Sequence, residues 1–318
     1  MQNEETRETL SVIIPTKNEG DLLEACLNSI HNQSISASEV IIVDGGSTDN
    51  TLKIAEGFGA RIIREQAFSS PANARNLGVE IAKSRILLIM DADVILGKDC
   101  LKNALKIFEE KAVIEVLPSE QNEDDSYIEL IQRKWNEGSR TGISIGFRRT
   151  QTSGLVAFFR KEVLERVKFD TKYGFGEDDD FSTRIEQEFR GSKIVVAENC
   201  KVISHSPHTF KEFATRYTWW GRTFSAYLSK HLGIKSILNM GSLLLPLFVL
   251  LTILAAVFLP QTIPILIVFL TMFIVKILVV CYRSKSFLFF QFATFDMARS
   301  LFFSAGLIQS LFQRKKGR

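Results

Sequence analysis

Cysteine and histidine are scarce in this chain, and neither sign of charge is in large surplus. Its 318 residues hold four cysteines, four histidines and a net charge of only +3. Cys26, Cys100, Cys200 and Cys281 show no metal-like spacing, so they read as ordinary buried or membrane thiols in a reducing compartment. The near balance of charge leaves no large basic excess, and no nucleic-acid partner is expected. Met1–Thr9 is polar and acidic, so no signal peptide is expected there and the first half of the chain is expected in the cytosol. Long uncharged runs are missing from residues 1–235. They fill residues 236–312, where Leu, Phe, Ile and Val dominate.

The charged part alternates between two periods. Leu10–Pro15 reads as a strand, followed by a helical stripe over Asp21–His31 with Leu22, Leu23, Cys26, Leu27 and Ile30 on one face. Val40–Asp44 is a second buried strand, broken by Gly45 and Gly46. Ser47 or Thr48 is placed to cap a helix over Asp49–Phe58. Ala60–Ile63 is a short strand, Ala72–Lys83 a helix, and Ile86–Met90 an apolar strand closed by Asp91-Ala92-Asp93. Strands alternating with helices predict an α/β fold with a doubly wound, mostly parallel sheet. In such a sheet Pro15, Asp44 and Asp91 share the carboxyl edge, where ligands bind. Two acids on one short loop suit a hard divalent ion, Mg²⁺ or Mn²⁺, bridging to a diphosphate.

Four segments in order carry a resemblance: Ser11 to Glu19, Val43 to Asp49, Asn73 to Gly78, and Asp91-Ala92-Asp93. Together they resemble the signature of family-2 glycosyltransferases with the GT-A fold, over roughly residues 10–230. The resemblance implies a nucleoside-diphosphate sugar donor and inversion at the anomeric carbon. It implies that Pro15, Lys17, Glu19 and Asp44 line the nucleoside pocket, with Asp44 reading the base. Arg75 would help hold the donor, Asp91 would face the ribose or the metal, and Asp93 the metal and diphosphate.

Thr152-Ser153-Gly154 opens a strand, Leu155–Phe159, and Gly154 would allow a substrate close to the backbone; a simple bulge is the other reading. Tyr173–Arg184 follows, with Glu177, Asp178, Asp179 and Asp180 placed before a helix starting at Phe181, where the helix dipole favours carboxylates. This run resembles the family's Glu-Asp motif. Glu177-Asp178 is then the motif and Asp178 the catalytic base, with Asp179 as the alternative register. Arg184 is expected to pair with Asp180. An alcohol acceptor must lose a proton as it attacks, whereas a phosphate need not, so an intact pair favours a hydroxyl acceptor on a sugar. His205 follows the strand Ile194–Val196 and the segment Lys201–Ser204. In some relatives a histidine here reaches the metal or diphosphate; the other reading is a surface loop, as for His208. Pro118–Tyr127 reads as an acidic loop. Arg133, Lys134, Arg140, Arg148 and Arg149 form either a lipid-phosphate surface or a solvated basic face.

Phe210, Phe213, Tyr217, Trp220, Phe224 and Leu228 recur every three or four residues, with basic residues between them. This predicts an amphipathic helix lying in the membrane interface, with a helix packed on the catalytic core as the other reading. Arg216, Trp219, Trp220 and Arg222 are its candidates for acceptor or lipid-phosphate contact. Met240–Leu259 and Thr262–Tyr282 are long enough to span, joined by a tight turn, with Lys276 snorkelling and Arg283 and Lys285 marking the cytosolic side. Ser286–Ile308 carries Gln291, Asp296 and Arg299. It reads as an in-plane or re-entrant helix, with a third span as the alternative. The expected organisation is a catalytic domain over residues 1–208, an interfacial helix over 209–235 and a membrane region over 236–318, in a multi-pass protein.

The leading function is a membrane-anchored, metal-dependent, inverting glycosyltransferase acting on a lipid-linked sugar. The alternatives are a polyprenyl-phosphate glycosyl synthase, or a dead scaffold or transport accessory.

Overall fold

A computed structural model describes residues 9–65, 70–110, 113–120, 130–131, 134–135, 156–172, 176–190, 193–204, 209–230 and 234–316. The chain divides into two compact units, residues 1–123 with 146–205, and residues 124–145 with 206–318.

The first unit is built on an eight-stranded sheet. Its strands are β1 (Leu10–Thr16), β2 (Glu39–Asp44), β3 (Arg61–Arg64), β4 (Ile86–Met90), β5 (Val94–Leu96), β6 (Val113–Glu120), β7 (Val156–Arg160) and β8 (Lys193–Ser204). Their order is β3-β2-β1-β4-β7-β6-β8-β5. The block β3-β2-β1-β4 is parallel, and β6 and β8 are parallel; β7 runs against β4 and β6, and β5 against β8. The sheet is thus mostly parallel and α/β, as the alternating periods predict.

Alternation along each strand makes two cores from one sheet. Val12, Ile14, Ile42, Ile86, Leu88 and Met90 face one side. There they meet Leu23, Cys26, Leu27 and Ile30 of α1 (Gly20–His31), Ala55 of α2 (Thr51–Gly57), and Leu101, Ala104 and Phe108 of α4 (Cys100–Glu110). Ile13, Ile41, Val43, Leu87 and Ile89 face the other side. They pack on α3 (Pro71–Ile81), α5 (Lys161–Arg166) and α6 (Glu177–Glu188). Apolar residues on both faces are what a sheet covered on both sides requires.

Several local expectations are corrected. The α2 cap is Asn50 rather than Ser47 or Thr48, which serve the loop before it. Pro118, Ser119 and Glu120 belong to β6, paired to β8 across a register shift, rather than to a loop. Residues 193–204 form one strand, not two pieces. Helix α6 starts at Glu177, so the acids occupy its first turn instead of preceding it. Gly176 allows this start, because its φ of 76° is a conformation that side chains disfavour. Cys100 and Cys200 are joined to each other rather than held as thiols, with Cα atoms 4.2 Å apart. Gly97 lets the two segments meet: a Cβ there would lie 2.8 Å from the Lys201 carbonyl oxygen.

The second unit is helical: α7 (Phe210–Lys230), α8 (Ile234–Phe258), α9 (Ile263–Arg283) and α10 (Phe289–Lys316), with a 3₁₀ turn, Pro260–Thr262, between α8 and α9. Its core joins Phe213 and Tyr217 of α7 to Phe292 and Phe295 of α10, with Phe273 and Ile277 of α9 and with Ile131 and Trp135. The aromatic face of α7 is therefore covered by α10. Glycine makes that contact close: a Cβ on Gly221 would meet the Phe303 carbonyl at 1.8 Å, and one on Gly306 the Thr218 carbonyl at 1.8 Å. Pro260–Arg283 is long and apolar enough to cross a membrane, with a mean hydropathy of 2.9. Leu243–Phe258 is a shorter apolar helix among the described residues. Ile265, Ile267, Val268, Met272, Val275 and Leu278 of α9 are exposed. Lys276 does not snorkel; its ammonium donates to Asp296 Oδ2 at 2.6 Å.

Candidate active site

The strand order dictates where the chemistry can gather. β1, β2 and β4 are parallel neighbours, so the turns after Thr16, Asp44 and Met90 emerge along one edge. The first two turns are laced together. The Asn18 amide donates to Ser47 Oγ at 2.9 Å, and the Thr48 amide donates to Asn18 Oδ1 at 2.8 Å. The Gly20 amide donates to Asp49 Oδ2 at 3.1 Å, and the Glu19 amide to Thr51 Oγ1 at 3.0 Å. Asn18 accepts a left-handed φ of 57° to do this. A Cβ on Gly20 would sit 1.8 Å from Asn50 Oδ1, so any larger residue there would push the Asn50 side chain aside. Sequence reasoning took Ser47 for a helix cap and gave Asn18, Asp49 and Thr51 no role in joining the two turns. Their signal was present, for all are short polar residues able to bond nearby backbone.

Asp44 is buried at the end of β2, and its carboxylate accepts the amides of Gly46 and Ser47 at 3.1–3.2 Å. Two carboxylate oxygens offer about four acceptor directions, so capacity remains for a ligand. Pro15 and Glu19 are half-buried on the same edge and Lys17 is exposed.

Arg75 is where the site is tied together. It lies on α3, is 3% exposed, and its guanidinium donates to Asp91 Oδ1 and to Glu177 Oε1, both at 2.9 Å. Asp91 follows β4 and Glu177 opens α6, so one cation joins the Asp-x-Asp turn to the acidic motif. The ring of Phe169 lies 5.5 Å from its guanidinium carbon. The rest of the segment supports this clasp. Asn76 donates to the Phe169 carbonyl at 2.8 Å and accepts the Phe169 amide at 2.9 Å; Asn73 bonds Glu65; Ser70 caps the helix through the Asn73 amide.

Electrostatics follow from burial. Burial pushes the Glu177 carboxyl up to about 7; Arg75 opposes the shift and Asp178 adds to it. The Arg75 guanidinium is held above its ordinary range by Asp91 and Glu177, against the effect of burial. Burial also raises the Cys26 thiol, and the fields of Asp93 and Asp91 add to that rise. Asp178 is half-buried beside Glu177. Asp180 is buried and accepts from Arg184 Nε at 2.6 Å, the expected structural pair. The Asp179 side chain, Gly154, His205 and His208 lie outside the described residues, as do Arg133, Arg140, Arg148 and Arg149.

With this geometry in view, comparison places the chain among known proteins. Residues 11–167 match the family described as Glycosyl transferase family 2. The chain carries a family-2 glycosyltransferase domain. It is 31% identical over 124 residues to the glycosyltransferase GlyG of Streptococcus pneumoniae, covering 37% of this chain and 41% of that one. It is 44% identical over 88 residues to a PGL/p-HBAD biosynthesis glycosyltransferase of Mycobacterium bovis, covering 26% and 34%. The chain thus spans well under half the length of these relatives. In fold it is similar to the mannosyltransferase PcManGT of Pyrobaculum calidifontis, solved with GDP-Man and Mn²⁺. The TM-score is 0.59 at 20% identity, covering 97% of this chain and 88% of that one.

The chemistry of this glycosyltransferase domain's acids fits a hard divalent ion. Asp91 and Asp93 supply carboxylate oxygens on one turn, and Mg²⁺ is commonly held by one or two carboxylates, with water and phosphate completing its shell. No group of three His, Cys, Asp or Glu residues able to hold a metal occurs among the described residues. The remaining candidates belong to the second unit. Arg222 donates to Gln309 Oε1 at 2.9 Å, Trp219 is exposed, and Trp220 and Arg216 are half-buried on α7.

Proposed function

We propose that this protein is a membrane-anchored, inverting glycosyltransferase that moves a sugar from a nucleoside-diphosphate sugar to a hydroxyl of a lipid-linked sugar. The observation that carries the reading is the Arg75 clasp, which brings Asp91 and the Glu177-Asp178 pair to one place. Pro15, Lys17, Glu19 and Asp44 bind the nucleoside at the strand edge, and Asp44 reads the base. Asp91 faces the ribose. Asp93, with Asp91 and His205, would hold Mg²⁺ or Mn²⁺, which when bound supplies positive charge to the leaving diphosphate.

Asp178 takes the proton of the acceptor hydroxyl. The freed oxygen attacks the anomeric carbon on the face opposite the diphosphate, the carbon–oxygen bond to phosphate breaks, and the configuration inverts. Glu177 does not suit the role, because its carboxylate accepts from Arg75. Gly154, which has no side chain, is the candidate for close approach by the acceptor. The exposed apolar face of α9 favours membrane residence. Arg283 and Lys285 favour a cytosolic C-terminus for α9.

The test is turnover by the full chain in detergent with panels of UDP- and GDP-sugars, with Mg²⁺ or Mn²⁺, on two acceptors. A sugar linked to a polyprenyl diphosphate should be extended and bare polyprenyl phosphate should not. Turnover on bare phosphate alone would make the protein a polyprenyl-phosphate glycosyl synthase. Failure to bind any nucleoside diphosphate would return the scaffold reading.

A further inference from the structure

The exposed apolar stripe of α9 runs to the end of the helix. Met272, Val275 and Val279 lead, at spacings of three and four, to Tyr282, which keeps 86% of its surface. Beyond the helix Phe287 is fully exposed, and Phe290, in the first turn of α10, keeps 78%. Arg283 and Lys285 stand between these rings, and both are exposed. The backbone fixes the turn that carries them. The Ser284 amide donates to the Val280 carbonyl at 2.9 Å, the Ser286 amide to the Cys281 carbonyl at 3.0 Å, and Lys285 takes a φ of 50°. Glycine usually fills that position when a helix ends in this way. A lysine there carries a backbone cost that glycine would avoid, and neither it nor Arg283 pairs with a carboxylate among the described residues.

Charge selects the partner for this turn. From Phe213 to the end the sequence has twelve lysines and arginines and one acid, Asp296, which is buried and paired with Lys276 and Arg299. Counted whole, the second unit holds sixteen lysines and arginines against six acids, whereas the first unit is net acidic. The small net charge of the chain therefore hides a basic unit. Aromatic rings and cations together, at the end of an exposed apolar helix, are complementary to one kind of surface. Aromatic side chains sit at head-group level, and lysine and arginine beside them meet lipid phosphates. A second copy of this chain would bring the same positive excess against the turn. An acidic soluble protein would satisfy the cations and leave the α9 stripe uncovered.

We infer that the turn Tyr282–Phe290 is a docking surface for an anionic phospholipid leaflet, with its rings at head-group level and Arg283 and Lys285 on lipid phosphates. The inference rests on the membrane residence proposed above. It adds to that reading the class of lipid preferred and the residues that select it.

The experiment places the full-length Phe287→Trp variant in nanodiscs of phosphatidylcholine mixed with phosphatidylglycerol. Its fluorescence is read as the difference from the wild type, which has three tryptophans. Lipid brominated on the upper acyl chain should quench the added tryptophan, and aqueous iodide should not. With only the phosphatidylglycerol brominated, quenching should exceed that from phosphatidylcholine brominated at the same content, by an enrichment of about fivefold for each cation. Adding Arg283→Gln and Lys285→Gln should make the two lipids quench alike, and raising the salt should bring the parent variant towards the same state. A chain that stays out of nanodiscs altogether overturns the membrane reading and this inference with it. A chain held in nanodiscs whose added tryptophan is quenched by iodide and not by brominated lipid overturns this inference alone. A tryptophan shielded from both, in discs holding two copies of the chain, makes the turn a contact between copies and overturns it as well. So does equal quenching by the two lipids before Arg283 and Lys285 are changed, because the turn would then read no charge.

Discussion

Arg75→Met isolates the clasp, because methionine keeps most of the side-chain volume and removes only the charge and its two hydrogen bonds. Breaking a buried ion pair by removing one partner costs roughly 3–5 kcal/mol. The lower end applies, because the Asp91 side chain keeps 29% of its surface and Glu177 can take up a proton. About 3 kcal/mol would lower the melting temperature by roughly 6–12 °C for a domain of this size. The loss should depend on pH. Glu177 titrates near 7 in the folded protein, above its ordinary value of 4.5. Its contribution to stability is therefore fully present below about 4.5 and is lost as pH rises to about 7. Without Arg75 its folded value rises further, so the decline continues past 7, and the gap between variant and wild type should be wider at pH 8.5 than at pH 6. Thermal unfolding of the full chain in detergent at the two pH values measures this. Adding Glu177→Gln to Arg75→Met should recover part of the loss and remove most of the pH dependence. A melting temperature within 2 °C of wild type at both pH values, about what 1 kcal/mol would cause, would refute the argument, because it would mean that the guanidinium carries no net favourable interaction with either acid.

Asp93→Ala should abolish transfer and weaken nucleotide binding in the presence of Mn²⁺ while leaving metal-free nucleotide binding alone, read by titration with and without chelator. Asp178→Asn should keep donor affinity and lower turnover by roughly 10²–10⁴-fold, the usual contribution of a positioned base; the larger loss at Asp179→Asn would shift the motif by one residue. Gly306→Leu should lower the melting temperature of the full chain in detergent, since a Cβ there meets the Thr218 carbonyl at 1.8 Å, and nucleotide binding should persist.

The sheet was legible because its strands announce both their interior and their ends. Ile86–Met90 is apolar at every position, as a strand covered on both faces must be, and Pro15, Asp44 and Asp91 stop three such runs at the same level. What could not be read was which distant groups meet. Arg75 precedes Glu177 by 102 residues, and nothing in the helical period of α3 says that its arginine turns inward. The cue lay in its neighbours: Asn73 and Asn76 are polar residues in a helix that packs on the sheet, and buried polar groups need partners. The pairing of Cys100 with Cys200 escaped for a similar reason. They are 100 residues apart, and only the antiparallel pairing of β5 with β8 brings their segments together.

The helices show the limit of amphipathic patterns. The aromatic stripe Phe213, Tyr217, Trp220 and Phe224 demands a cover and is silent about its identity, since lipid and protein are both apolar. The deciding feature is glycine. Gly221 sits in that stripe's flank and Gly306 in α10, and each removes a side chain where backbone meets backbone. An aromatic helix facing lipid alone has no use for such a gap, whereas one crossing another helix closely requires it. By the same logic Asp296, awkward in a span taken alone, becomes intelligible once Lys276 and Arg299 flank it. A charge that looks misplaced in one helix is a statement about the next, which supplies its partner.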